Sequence, residues 1–532
     1  MYECPNCGGN LQFDIAAGQM LCGYCGTTAD PYSLQKEDEV LESGEYEATV
    51  FTCSQCGAEL LSEDTTAATF CSFCGSSAVL ESRIGRGRRP AHIIPFSRTR
   101  EDCKASYARM MRRAFFAPKE LKDQAYIEKF RGIYMPYWVY SFEKKGKISF
   151  RGSRSSQKGD YLVTKHYDIV SEVDASYQGI SFDAAAAFSD ELSGAIAPYQ
   201  METGKPFTPS FLSGFYADAS DVDSSVYRQD ACDLVTEEGF GRISGNSICA
   251  RYHVKAEGNR DTLKNALRPS CTSAELAMFP VWFLTYRKGD RVAYAVVNGQ
   301  TGKAAADLPV DRKKYLACSL LLALPLFILL NLRFTITPGI SLLLAAFLSF
   351  VCAVVSCFQA SRIRERELLE NDKGYMQSVR RCAQDERKRI LGMSVGEIKL
   401  LQTVIGGALF MVFTPVAVSI AAVRSDSGLV ILGVLLVCFA LIRIVTLKRW
   451  QEPVRKGVAK EMLPVLAKPA AAILFAFVIM IWNPVSDLYY YGGAAVSMAA
   501  VIWSFLDIIE RHNVLATRKL PQFNRRGGDE NA

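Results

Sequence analysis

The sequence predicts a multidomain chain: two tandem cysteine-rich ribbons, an α+β soluble domain with duplicated β-hairpins, and an all-α membrane domain of about six transmembrane helices. Three observations predict this fold. A cysteine pattern occurs twice before residue 75, an aromatic segment recurs 144 residues later, and six apolar runs lie between residues 315 and 509. The predicted boundaries are ribbon 1 at 1–35, an acidic linker at 36–49, ribbon 2 at 50–82, a basic hinge with helices at 83–131, the α+β domain at 132–311, the membrane domain at 312–510 with a cytosolic helical loop at 360–399, and a cytosolic tail at 511–532.

The first 80 residues contain an internal repeat in which each unit reads C-x2-C-x14-C-x2-C-G. Two CxxC turns held by a short hairpin bring four thiolates to the corners of a tetrahedron, which is the geometry of structural zinc. A single CxxC would also fit a redox motif, but two quartets at one spacing favour Zn²⁺, one ion per ribbon. The predicted metal ligands are Cys4, Cys7, Cys22, Cys25, Cys53, Cys56, Cys71 and Cys74.

These predicted sites have four cysteine ligands and therefore no open coordination position. Water or substrate cannot reach the metal, so we expect a structural ion and no Lewis-acid catalysis. The sequence begins without a basic stretch followed by an apolar one, so we expect no signal peptide and reduced thiols in the cytosol.

Zinc ribbons often bind nucleic acid, and net charge tests that possibility. Residues 1–82 contain one lysine and thirteen acidic residues. Because phosphate neutralisation dominates affinity for nucleic acid, this module would repel a phosphate backbone. We therefore expect nucleic acid to be an unlikely partner and protein docking or a structural role to be the better interpretation.

The charge reverses from Arg83 to Arg131, where fourteen basic residues face five acidic ones. This hinge could dock the acidic ribbons of the same chain, lie on the anionic inner leaflet, or bind nucleic acid. Thr99-x-x-Asp102 resembles a capping box that opens a helix to about Phe116. A second helix is predicted from Pro118 to Arg131, ended by Gly132.

The α+β domain contains a second repeat, in which Met135–Phe150 aligns with Phe279–Tyr294. Each copy predicts a strand, a polar turn and a strand, so we expect two related hairpins in one sheet. Between them, Tyr161–Ser181 alternates like a long strand, and Ala184–Ile196 and Asp221–Glu238 have helical patterns.

No catalytic pattern is found in this domain, so we expect no enzyme. Its histidines, His92, His166 and His253, have no metal-ligand spacing. The segment 298–303 lacks the spacing of a phosphate-binding loop and predicts an Asn-Gly turn that closes a hairpin. The acidic residues between 218 and 223 are interpreted as a solvated loop.

The apolar runs predict membrane spans because about 20 helical residues cross a ~30 Å hydrocarbon core. The fifth run is short unless residues 464–468 join it. The six predicted spans are Tyr315–Phe334, Pro338–Phe358, Leu400–Val423, Gly428–Leu447, Pro469–Trp482 and Leu488–Ile509.

Basic residues are concentrated before the first span and after the second, fourth and sixth spans, whereas the alternate connections carry one, one and none. Basic segments stay in the cytoplasm. We therefore expect a multi-pass membrane protein with both termini in the cytosol and membrane lipid as a partner. The ionisable residues Arg443, Asp507 and Glu510 lie near the cytoplasmic ends of their spans, which favours snorkelling over a transport pathway.

Five segments between residues 50 and 310 resemble a bacterial group known as TFIIB-type zinc-ribbon membrane proteins, some of which are mislabelled after the PriA helicase. The segments are CSQCGAELLSEDTTAATFCSFCGSS, HIIPF, GIYMPYWVYSF, PFTPSFLSGFYAD and VNGQTGK. Proteins of this group are similar in being encoded beside flotillin-like and phage-shock proteins, so the resemblance implies these as candidate partners, the bacterial cytoplasmic membrane as the location, and an anchoring or recruiting role in membrane organisation or stress. It implies no catalytic residue.

Three functions remain open at this point. The first is a non-enzymatic membrane scaffold whose cytosolic ribbons and α+β domain dock or anchor a protein. The second is a transporter-like or channel-like protein with a zinc-stabilised regulatory domain, and the third is a DNA-associated membrane anchor.

Overall fold

A computed structural model describes residues 2–34, 45–62, 71–76, 80–185, 188–244, 255–257, 260–333, 337–369 and 452–520. The chain divides into two compact units, each described here by itself. The first contains Met1–Arg113, Lys122–Ala306 and Lys519–Ala532, and the second contains Ala114–Leu121 and Asp307–Arg518.

The strands of the described chain, in order, are β1 Leu11–Asp14, β2 Gln19–Cys22, β3 Thr28–Ala29, β4 Glu45–Cys53, β5 Glu59–Ser62, β6 Leu80–Arg88, β7 His92–Ile93, β8 Arg131–Lys158, β9 Tyr161–Asp183, β10 Lys205–Pro206, β11 Tyr216–Asp218, β12 Lys255–Glu257, β13 Ser270–Lys288, β14 Arg291–Asn298, β15 Ala304–Ala306 and β16 Arg518–Lys519. The helices are α1 Arg100–Arg113, α2 Gln124–Ile127, α3 Asp190–Ile196, α4 Ser225–Ser244, α5 Arg260–Leu267, α6 Arg312–Arg333, α7 Pro338–Leu369, α8 Glu452–Trp482 and α9 Asp487–Leu515.

The first unit contains a small sheet and a large mixed sheet. Strands β1, β2 and β3 form the small antiparallel sheet around the first cysteine quartet. The large sheet has the order β10-β7-β13-β8-β11-β5-β4-β6, with β9 and β12 also paired to β8 and β14 to β13. The strands of the second cysteine quartet therefore belong to the large sheet, which they join through β5 and β11.

The repeated aromatic segments lie side by side at the centre of the large sheet. β8 and β13 are antiparallel, and Met135 is opposite Phe279, its own equivalent in the repeat. The second predicted hairpin is confirmed, since β13 turns at Gly289 into β14. The first is wrong: β8 runs on as one strand and reverses only between Lys158 and Tyr161, because β9 supplies backbone partners along its whole outer length.

The helices of the first unit follow the capping signals more closely than the predicted lengths. The capping box is confirmed, since the Thr99 backbone N–H donates to Asp102 (3.0 Å) and the Asp102 N–H to Thr99 Oγ1 (3.3 Å). α1 ends at Arg113, before Phe116. The long helix predicted from Pro118 to Arg131 is wrong, because Asp123 caps only the short α2 and Arg131 already pairs in the sheet.

Two further helices are shorter than predicted or displaced along the chain. The long strand predicted between the two repeated segments is confirmed. Helix α3 covers only the second half of the predicted segment 184–196, and α4 begins four residues after Asp221 and extends to Ser244. β9 includes all of Tyr161–Ser181. The Asn-Gly turn is also confirmed: β14 and β15 pair at Val297 and Ala304.

The second unit contains the apolar helices α6–α9. Two helical segments are long and apolar enough to cross a membrane, Pro338–Ala360 and Asp487–Leu515, and Leu466–Trp482 is a shorter apolar segment. The fifth predicted span lies within α8, which includes residues 464–468. The predicted spans Leu400–Val423 and Gly428–Leu447, and residues 370–399 of the predicted loop, lie outside the described residues.

Small residues bring the described apolar helices into contact. Leu342 and Ala346 on α7 pack with Ile473 and Ala476 on α8 and with Ala494 on α9. A Cβ placed on Gly493 would meet the Cδ1 methyl of Ile479, so the end of that side chain would have to shift to admit a larger residue. Close packing through small residues is common between helices in membranes.

Candidate metal centres

All four CxxC turns fold in the same way. In each turn the first cysteine donates its backbone N–H to a carbonyl five residues later and accepts from the glycine four residues later, at 2.7–3.0 Å. The glycines are Gly8, Gly26, Gly57 and Gly75, with φ of +71°, +73°, +75° and +67°. Residues other than glycine rarely adopt a positive φ of this size. The glycine after each cysteine pair therefore allows the chain to make the turn.

The turns bring each predicted quartet together. In both groups, Cys4–Cys7–Cys22–Cys25 and Cys53–Cys56–Cys71–Cys74, the Sγ atoms all lie within 4.8 Å of one another. The sulfur pairs Cys4–Cys25 and Cys7–Cys22 are 3.5 Å apart, and Cys53–Cys74 and Cys56–Cys71 are 3.7 Å apart.

These separations fit a tetrahedral metal site. Four sulfurs at 2.3 Å from a zinc ion are separated by about 3.8 Å along each tetrahedron edge. A disulfide would require about 2.05 Å between sulfurs, and all eight cysteines are free. The donor set of four thiolates also suits Zn²⁺, which prefers tetrahedral sulfur and nitrogen ligands.

Hydrogen bonds within each group shift the pKa values of its thiols in opposite directions. A hydrogen bond from the Thr27 hydroxyl lowers the pKa of Cys25 to about 6. In the second group, the hydrogen bond from Cys56 lowers the pKa of Cys74 to about 2, while hydrogen bonding to Cys71 raises the pKa of Cys56 well above its ordinary value. Crowded thiolates need a cation at their centre before all four can lose their protons.

The two groups differ in their surroundings. In the first, Cys7 and Cys25 are exposed, whereas all four cysteines of the second are buried in the main core of the large sheet. Phe73, between Cys71 and Cys74, is fully buried and packs edge-on against Phe283. Its carbonyl accepts from the Tyr294 hydroxyl at 2.8 Å, and the Thr285 hydroxyl donates to the neighbouring Ser72 carbonyl. The second group is therefore part of the sheet core.

The first ribbon packs against the segment Pro206–Gly214, which lies outside its predicted bounds. Phe211 packs against Phe13 and Tyr32 with ring centroids 5.1 and 5.8 Å apart. The Ser213 hydroxyl donates to the Leu11 carbonyl at 2.7 Å, and the Ser210 hydroxyl to the Pro31 carbonyl at 2.8 Å. The sequence feature that could have indicated this contact is the alternation of aromatic and hydroxyl residues in PFTPSFLSG.

The basic hinge begins as a strand that pairs with the acidic segment before the second ribbon. In the antiparallel ladder of β4 and β6, Glu45 is opposite Arg88 and Glu47 is opposite Arg86. The Arg88 guanidinium lies over the Trp138 ring, 5.4 Å from its centroid. Of the three interpretations of the hinge, this register supports docking within the chain.

The other residues considered from the sequence do not form a metal group among the residues that the structure describes. His92 pairs with Glu275 at 3.2 Å, His166 is exposed on β9, and His253 lies outside the described residues. Asn298 is fully buried, and its Oδ1 accepts from the backbone N–H groups of Gln300 and Thr301, which is a turn-closing role.

Comparisons with known proteins give one similarity. The chain is 29% identical over 320 residues to a Bacillus subtilis (strain 168) protein described as "Uncharacterized protein YdjG", and the match covers 59% of this chain and 92% of that protein. No protein-family model matches the chain. No solved structure matches it.

Proposed function

We propose that this chain is a non-enzymatic, zinc-binding integral membrane protein whose ribbons and α+β domain dock or anchor a protein at the cytoplasmic membrane. The observation that carries the proposal is the pair of four-cysteine groups with sulfur separations near the edge length of a zinc–thiolate tetrahedron. Each group would hold one Zn²⁺ through its four thiolates. The ion would supply folding free energy, on the order of 10–16 kcal/mol in zinc-finger peptides.

The surroundings of the two proposed metal sites favour docking over catalysis. A site closed by four cysteines offers no coordination position to a substrate. The second group is enclosed by the sheet core, so its metal would stabilise the fold of the domain. The first group sits on a separate small sheet with Tyr24 exposed at 85% beside its ligands, which is the kind of aromatic surface that protein partners bury.

The membrane part of the proposal extends the two long apolar helices of the structure to six spans. The apolar runs would supply the additional spans, and the charge asymmetry of their connections would put both termini and residues 1–314 in the cytosol. A surface fixed at the inner leaflet suits an anchor. The resemblance to the TFIIB-type zinc-ribbon membrane proteins supports flotillin-like or phage-shock proteins as the partners.

A direct test is cross-linking of the full chain in native membranes, followed by purification and identification of the attached proteins. The matched pair is the unsubstituted chain and Tyr24→Ser, which alters the exposed surface of ribbon 1 without touching a metal ligand. We expect a defined protein to be captured by the first and lost or reduced with the second. Capture of no protein by the unsubstituted chain would contradict the docking role.

A transporter-like function is the second candidate, and one ion pair favours it. Lys468 on α8 contacts Asp507 on α9 at 2.6 Å, and its ammonium lies 4.1 Å from the centroid of the Trp503 ring. Ionisable residues between apolar helices often mark an ion or proton pathway. Proteoliposomes under an imposed potential test it: proton flux that Asp507→Asn abolishes would support transport, and flux equal to that of empty liposomes would exclude proton movement.

A further inference from the structure

Strands β8 and β9 extend beyond the packed body of the first unit as a two-stranded arm. Residues 154–168 are exposed on both faces of the ladder, from Arg154 to Asp168. Tyr161 and Leu162 are 78% and 73% exposed. A two-stranded ribbon is marginally stable by itself, so an arm of this length is expected to gain stability from a further partner.

The outer edge of the arm is open for pairing. Within the part of the chain that the structure describes, β9 pairs with β8 alone along its whole length. It contains no proline between Tyr161 and Asp183, so every residue can donate a backbone hydrogen bond. An unpaired edge of this kind is a template for another strand.

We propose that this edge pairs with the same edge of a second copy of the chain, antiparallel, to form a dimer with a continuous sheet. The charges along β9 favour a copy of itself as the partner. The outer part carries Lys165 and His166, and the inner part carries Asp168, Glu172 and Asp174. An antiparallel two-fold arrangement places the outer part of one strand against the inner part of the other.

The side chains favour a register centred on Ile169 over the two registers next to it. With Ile169 opposite its own copy, Tyr161 meets Tyr177, Val163 meets Ala175, and His166 meets Glu172. Moving the axis by one residue places like charges directly opposite each other, Asp168 against Asp168 or Asp168 against Glu172. Aromatic pairs stabilise neighbouring strands and like charges directly opposite each other destabilise them, so the register centred on Ile169 is favoured over these two.

An apolar cluster at the base of the arm lies on the same face of the sheet as two exposed apolar side chains of the arm. Val173 of β9 belongs to an apolar cluster with Ile148 on β8, Phe240 on α4 and Leu267 on α5. On the same face, Tyr161 and Val163 are open to solvent. In the proposed register Lys165 of one copy lies opposite Val173 of the other, and Val163 lies one pair further along the same face, next to this cluster.

A charge pair at one exposed position tests the dimer. Val170 is 68% exposed and, in this register, lies opposite Asp168 of the second copy. In the dimer, Val170→Glu places a glutamate of each copy opposite Asp168 of the other, which gives two pairs of like charges. Val170→Lys gives two pairs of opposite charges at the same positions. Both variants remove the same apolar side chain and add one charge, so each is the control for the other.

The measurement is the mass of the purified full chain in detergent, by light scattering on a size-exclusion column. We expect a dimer for the unsubstituted chain and for Val170→Lys, and at least a tenfold weaker dimer for Val170→Glu. A monomeric unsubstituted chain, or equal effects of the two variants, would overturn the proposal. A β9 edge occupied by another protein or by lipid would give such a monomer.

Cross-linking checks the register independently of stability. A cysteine at Ile169 is the substitution that meets its own copy, whereas a cysteine at Val163 is far from its copy. Mild oxidation of Ile169→Cys should give a covalent dimer above the background of the unsubstituted chain, and Val163→Cys should not. Equal dimer yields from the two variants would contradict the register centred on Ile169.

Discussion

The two cysteine groups are expected to have different effects on the rest of the fold, and single ligand substitutions separate them. Cys71 is fully buried in the main core of the large sheet, together with Phe73 and Phe283. Cys22 belongs to the small three-stranded sheet. Cys71→Ser should therefore unfold the large sheet, whereas Cys22→Ser should unfold only β1–β3.

The expected size follows from comparing two free energies. A structural zinc contributes on the order of 10–16 kcal/mol in zinc-finger peptides, and a whole domain is stable by about 5–15 kcal/mol. Loss of a metal bound by the second group would thus remove most or all of the stability of the sheet. Loss of a metal bound by the first group would remove the stability of a small module that contacts Phe211 and the hydroxyls of Ser210 and Ser213.

Hydrogen exchange read by mass spectrometry on the full chain in detergent distinguishes the two outcomes. In Cys22→Ser, peptides from β8 and β13 should keep their protection to within about 1 kcal/mol of opening free energy, while peptides from β1–β3 lose theirs. In Cys71→Ser, the β8 and β13 peptides should lose about 5 kcal/mol or more. Equal loss of β13 protection in both variants, or its retention in Cys71→Ser, would refute the reasoning.

Three further predictions use other parts of the molecule. Phe73→Ala should lower the free energy of unfolding by about 3–5 kcal/mol with both metals retained, because it empties a core position without removing a ligand; chemical denaturation together with metal analysis checks it. Asn298→Ala should cost about 2 kcal/mol or more because it leaves buried backbone N–H groups without an acceptor, against less than about 0.5 kcal/mol for an exposed substitution such as Lys288→Ala. A reporter that is active only outside the cytoplasm should be active when fused at residues 424–427 and silent after residue 532, and the reverse pattern would contradict the proposed topology.

The local features of the candidate sites were predictable from the sequence because they depend on a few neighbouring residues. The cysteine spacing and the glycine after each pair determine the turn, and the four turns fold alike. The capping box at Thr99 and the turn at Asn298 are local for the same reason. Their hydrogen bonds are made within six residues of chain.

The errors arose where long-range pairing determined the structure. Polar residues around Gly146 resemble a hairpin turn, but β9 offers partners on both sides of that position, so β8 continues through it. The long helix expected before Gly132 gives way to strand because Arg131 is opposite Phe283. The incorporation of the second cysteine group into the large sheet depends on contacts of Phe73 with residues more than 200 positions away, which no local pattern records.

The most direct measurement is the metal content of the purified full chain, by elemental analysis combined with native mass spectrometry. We predict two zinc ions per chain, falling to one in Cys22→Ser, with all eight cysteines of the two groups reactive toward thiol reagents only after the metal is removed. One zinc or none in the unsubstituted chain, iron in place of zinc, or disulfides among these eight cysteines would contradict the assignment of the two groups as structural zinc sites.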